Sequence, residues 1–272
     1  MTWSRRLLAV AAVMYVFCGL TFFLLPDYAS ANFPWNVTAF VAMTIGGWTL
    51  GMGFMAREAL RGGAIERVYP TMMAIWVFSA LELLVALAFV ISLKVDNWLT
   101  WPYLLALGLG TTSGVLGAPR LWQMRRELAA AGEGTGPPGW IRGLYATFVV
   151  VTGLLALVAL FIVPTGGTVF PESLGAFTTR AFAGFFAALG IGAVPLVFSR
   201  DIEPAAHYAR AGIYPIALIL FAAISYVGLF DFGARPGGLL YIGAYIVTGI
   251  AALAIVVWHR QETAEPDLTP RY

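Results

Sequence analysis

The sequence predicts an all-α integral membrane protein. Its eight transmembrane helices form two parallel four-helix repeats, related by a pseudo-two-fold axis along the membrane normal. Three observations predict this. First, 60% of the 272 residues are hydrophobic and 11% charged, with mean hydropathy +0.82, whereas soluble domains carry about 25% charged residues. Second, eight apolar runs approach the ~20 residues needed to cross a ~30 Å hydrocarbon core as a helix. Third, landmarks of residues 5–122 recur in 142–260. Arg5-Arg6-Leu7 matches Arg142-Gly143-Leu144, Leu25-Pro26 matches Val163-Pro164, and Phe33-Pro34 matches Phe170-Pro171. Gly47-Trp48 likewise matches Gly184-Phe185, Tyr69-Pro70 matches Tyr214-Pro215, and Trp122 and Trp258 close the two copies.

The runs are 7–25, 37–56, 69–93 and 99–118, then 143–163, 177–198, 211–230 and 238–258. Backbone groups in lipid must be satisfied within their own segment, so the runs are read as helices, and period-2 alternation is absent. Run 7–25, between Arg5-Arg6 and Ala29-Ser30-Ala31, imitates a secretion signal. It exceeds the usual 7–15 residue signal core and has an internal copy at 143–163, so it is read as a retained span. Cys18, the single cysteine, can form no intramolecular disulfide. The Asn36-Val37-Thr38 sequon lies against the membrane. The connections bearing the two Phe-Pro elements read as aromatic-anchored turns, with a paired lip over an entrance as the functional alternative.

Runs 37–56 and 177–198 are glycine-rich. Small residues let membrane helices approach closely, so Gly47, Gly51, Gly184 and Gly190 are the candidates for a repeat interface. The predicted domains are 1–122, a cytoplasmic linker 123–141, 142–260, and a disordered cytoplasmic tail 261–272.

Charge sets orientation. Arg5, Arg6, Arg57, Arg61, Arg67, Arg120, Arg125, Arg126, Arg142, Arg200, Arg210, Arg260 and Arg271 fall on one side, leaving Lys94, Arg180 and Arg235 opposite. The positive-inside rule makes the first side cytoplasmic and places both termini there. The expected location is the cell membrane, an inner membrane in a bacterium. The small net charge of +2 points to anionic headgroups rather than nucleic acid.

Glu82 is the sharpest single residue. A carboxylate mid-span costs at least ~2.5 kcal/mol on insertion scales and marks an interior partner or role. Ser79 lies one turn earlier on the same face, and the copy around Ser225-Tyr226-Val227 has no acid. Arg180, near the external end of run 177–198, either snorkels outward or pairs with Glu82 across the halves. Glu82, Arg180, Ser79 and Tyr226 are therefore the ligand-binding or ion-pair candidates. Tyr241, Tyr245, Thr248 and the Thr111-Thr112-Ser113 hydroxyls are read as mostly structural, and with Glu82 could line a small polar cavity.

No catalytic residue, metal site or cofactor is assigned. HExxH, GxSxG, P-loop and dinucleotide fingerprints are absent. His207 and His259 fall in cytoplasmic segments, and the Asp201-Ile202-Glu203-Pro204…His207 cluster reads as a solvated loop. The leading expectation is a non-enzymatic protein that binds or moves a small or lipid-like ligand between its repeats. An accessory subunit or scaffold of a larger membrane complex ranks second. An intramembrane lipid-modifying enzyme ranks last, because no nucleophile–base set is visible.

Overall fold

The computed structural model describes residues 2–130, 136–161, 172 and 174–264, without the side chains of 125–130 and 264. Among them the chain is all-helical. Four helices come from its first part: α1 (Thr2–Leu24), the short α2 (Pro26–Asn32), α3 (Ala39–Arg61) and α4 (Ile65–Ala88). Then follow α5 (Thr100–Ala130), α6 (Gly139–Phe161), α7 (Ala176–Val197), α8 (Glu203–Ser225) and α9 (Gly237–Ala264).

Among the described residues seven helices are long and apolar enough to cross a membrane: α1, α3, α4, α6, α7, α8 and α9. Run 99–118 is α5, which falls outside that set because its middle reads Gly110-Thr111-Thr112-Ser113-Gly114. Those residues serve packing. A Cβ on Gly110 would meet the Ser79 side chain, and Cβ atoms on Gly114 and Gly117 would meet the Trp76 ring. The Ser113 hydroxyl donates to the Ser4 carbonyl at 2.8 Å, the Ser4 hydroxyl donates back to the Ser113 carbonyl at 2.8 Å, and Trp76 Nε1 donates to the Ser113 hydroxyl at 3.1 Å. This reciprocal clasp closes the seam between α1 and α5.

Several boundaries differ from the apolar runs. α4 and α8 begin earlier, at Ile65 and Glu203, because their first turns carry charge that a hydropathy window rejects. Each ends in a 3₁₀ turn, Val90–Ser92 or Val227–Leu229. Pro70 and Pro215 thus sit inside helices, which membrane helices tolerate when neighbours re-satisfy the backbone. The connection after α1 contains α2, started by Pro26 at its first position with Asp27 in its first turn. The predicted linker 123–141 is helical to Ala130 and again from Gly139, and the predicted tail begins within α9 at 261–264. The Phe170-Pro171 element and residues 265–272 lie outside the described residues.

α3 is the central helix, buried along nearly its whole length. It packs on α1 and α8, while α7 packs on α6 and α4. Glycines set these approaches: Gly19 of α1 meets the Leu50 backbone, Gly51 of α3 meets Pro215 of α8, and Gly192 of α7 meets Ala74 of α4. α3 and α7 also meet through Trp48, whose ring lies 4.8 Å from those of Phe182 and Phe185. The lipid-facing character lies outside, where Leu154 of α6 and Val247 and Ile250 of α9 are more than half exposed.

The arginine-rich ends gather on one side. Arg5 donates to the carbonyls of Leu60 and Gly63, and Arg142 to that of Ser199. Arg67 and His259 both approach Glu203, at 3.1 and 3.4 Å. Glu203–His207 form the first turn of α8 rather than a solvated loop, since Pro204 starts a helix there. His207 is buried and shares a 3.0 Å hydrogen bond with the Thr71 hydroxyl. At the opposite end Trp35 stacks on Phe177 at 4.1 Å and donates from Nε1 to the Thr178 hydroxyl. There the Thr38 hydroxyl donates to Glu172, whose carboxyl burial pushes above the usual range against the pull of Thr38 and Arg235.

A candidate ligand cleft and a buried carboxyl

Helix α4 places Ser79 and Glu82 one turn apart on a buried face. Tyr15 of α1 donates to the Ser79 hydroxyl at 2.7 Å, which in turn donates to the Ile75 carbonyl. Tyr103 of α5 donates to Glu82 Oε2 at 3.4 Å. Among the described residues Glu82 Oε1 has no hydrogen-bond partner, and it faces Gly184 of α7, where a Cβ would stand 2.7 Å away. Gly184 thus makes room for the carboxyl at a crossing between the two halves.

Arg180 does not join this group. Its guanidinium donates to the Ala159 carbonyl of α6 at 2.7 Å, and among the described residues Glu82 has no cation beside it. The helix-end carbonyl satisfies the guanidinium locally, so the cross-half ion pair, the alternative to outward snorkelling, is not formed. In a double-mutant cycle, Glu82→Gln and Arg180→Gln should be additive within about 0.5 kcal/mol in detergent unfolding. A larger coupling would mean that the two groups do meet. Tyr226 caps the end of α8 and packs on Phe40, away from Glu82. Of the glycine candidates, Gly47, Gly51 and Gly184 face helices of the other half, whereas Gly190 faces Thr152 of α6 in its own half.

A second candidate site lies elsewhere. A cavity of about 520 Å³ sits among α6, α7, α8 and α9, within the ~300–1,000 Å³ of small-molecule sites. Glu82, Arg180 and Ser79 are not among its lining residues. It exists because α6 and α9 barely touch along their length. Near the arginine-rich end Trp140 packs edge-on against Trp258 at 6.1 Å; beyond it Gly212 and Gly243, both in the lining, face open space. Val151 and Val247 line the cleft and are also exposed on the outer surface, so it opens sideways.

Its walls are apolar and carry no charged side chain. The polar atoms at its two ends differ. Toward the arginine-rich end the Tyr145 hydroxyl donates to the Ala205 carbonyl and the Tyr208 hydroxyl to the Leu189 carbonyl, both at 2.7 Å. Toward the other end the Tyr241 and Tyr245 hydroxyls approach each other and Thr44 of α3, yet none of the three reaches hydrogen-bond geometry. Behind them Trp48, whose Nε1 also has no partner, packs on the cleft residue Phe185.

Sequence reasoning named Tyr241, Tyr245 and Thr248 as hydroxyl-bearing, and all three line the cleft. It placed the cavity between the repeats, because no sequence signal says which helix seam stays open. Among the described residues no cluster of His, Cys, Asp and Glu could hold a metal ion. Comparison with known protein families, with curated proteins and with solved structures finds no match.

Proposed function

We propose that this is a multi-pass cell-membrane protein of eight spans with both termini cytoplasmic, which binds or moves a lipid-like ligand in the cleft between α6 and α9. One observation carries the ligand reading: the same seam is closed in one half and open in the other. α1 and α5 are clasped by Ser4 and Ser113, whereas their counterparts α6 and α9 leave a lined cavity. An opening onto the bilayer suits a ligand that already dissolves in it.

The repeat reading has support of its own. Helix contacts come in matching pairs: α1 on α3 with α6 on α7, α4 on α7 with α8 on α3, and α4 on α5 with α8 on α9. Trp48 packs on Phe185, its own counterpart, as residues near a two-fold axis do. A reporter inserted at Gly63 should read cytoplasmic and one at Asp96 external, and the reverse pattern would sink the orientation.

Native mass spectrometry of the gently solubilised protein, with an absorption spectrum of the same sample, tests the function. A retained small molecule or specific lipid is the expected result. A ligand-free chain carrying a stoichiometric membrane partner would replace this reading with that of an accessory subunit, the open seam then seating a partner helix.

A further inference from the structure

We infer that the occupant of the cleft is a neutral amphipathic lipid, with one hydroxyl or carbonyl group held by Tyr241, Tyr245 and Thr44 and a hydrocarbon tail lying toward Trp140 and Trp258. This rests on the cleft being a ligand site, and adds the chemistry and direction of the ligand. The polarity of the cleft decides both. Buried hydroxyls ordinarily find partners, because a buried polar group left without one keeps its full desolvation cost. Tyr145 and Tyr208 have spent their donors on backbone carbonyls, so at that end the two tyrosines have no donor left for a ligand, and Thr147 and Thr248 are further hydroxyls along the way.

Tyr241, Tyr245 and Thr44 have not spent theirs, although all three are buried. Tyr241 and Tyr245 are one turn apart on α9, on the face that lines the cleft, and Thr44 closes the group from α3. Each hydroxyl both donates and accepts, which matches the needs of one alcohol or carbonyl oxygen entering among them. An anionic headgroup fits poorly, since no lysine, arginine or histidine lines the cleft and an unpaired charge in an apolar site is costly. From Tyr245 to Ile255, the last cleft residue of α9, the tail would have ~15 Å at ~1.5 Å per residue. That is about half of the ~30 Å hydrocarbon core, the share of one leaflet.

Three probes with one tail test this on the full chain in detergent: hexadecanol, hexadecyl phosphate and hexadecane, each measured by native mass spectrometry and competition. Hexadecanol should bind one per chain, at least tenfold tighter than either other probe. The double variant Y241F/Y245F keeps both rings and removes both hydroxyls, and should weaken hexadecanol about thirtyfold, as two hydrogen bonds of ~1 kcal/mol each imply. It should leave hexadecane unchanged. Tighter binding of hexadecyl phosphate, or hexadecanol binding indifferent to Y241F/Y245F, overturns the headgroup assignment while the cleft remains a lipid site. Failure of all three probes to bind the wild-type protein overturns the cleft reading as well.

Discussion

Gly51→Leu should cost the protein about 3 kcal/mol, near the top of the range for overpacked cores. Even the first added carbon has no room. A Cβ on Gly51 would stand 2.5 Å from Pro215 Cβ and 2.6 Å from its Cα, and the proline ring cannot rotate away. This is the α3–α8 crossing, where the most buried helix of the first half meets the second. The loss is read by thermal or denaturant unfolding in detergent. A control separates crowding from the general effect of replacing a helical glycine: Gly243→Leu meets nothing within 4 Å and should gain up to about 1 kcal/mol from helix propensity. If Gly51→Leu is as stable as the wild type, α3 and α8 do not cross there, and the cross-half contact falls with it.

The second large effect is on the ligand. Gly243→Phe builds a ring from α9 into the cleft, and Gly212→Phe does so from the neighbouring α8; both glycines line the cavity and face open space. Each variant should lower the retained ligand per chain by more than tenfold while the melting temperature stays within a few degrees. The reason is volume. A phenyl group displaces a large part of an approximately 520 Å³ cavity without touching the helix crossings that hold the bundle together. Two variants from different helices guard against a local misfold in either one. Undiminished ligand in both, with normal stability, would place the ligand outside the cleft.

The sequence alone determined the membrane character, the positions of the long helices and the duplicated landmarks. These are one-dimensional properties: an apolar run of sufficient length has few alternatives in lipid, because its backbone must bond to itself. It also flagged Glu82 as interior, since a mid-span acid is too costly to face lipid. Some local signals were present but outweighed, such as Pro26 in the first turn of α2 and Pro204 in the first turn of α8, which a hydropathy reading passes over.

Tertiary structure decided the pairings. Arg180 and Glu82 lie at compatible depths in sequence, yet Arg180 finds the Ala159 carbonyl and Glu82 finds Tyr103. Depth along a helix says nothing about which way its side chains turn. The cleft was invisible for the same reason. Whether a seam closes depends on side chains more than a hundred residues apart, such as Ser4 and Ser113, and on glycines that meet a ring in one half and empty space in the other. Which seam closes is therefore decided by contacts between residues far apart in the chain, and no run of apolar residues encodes it.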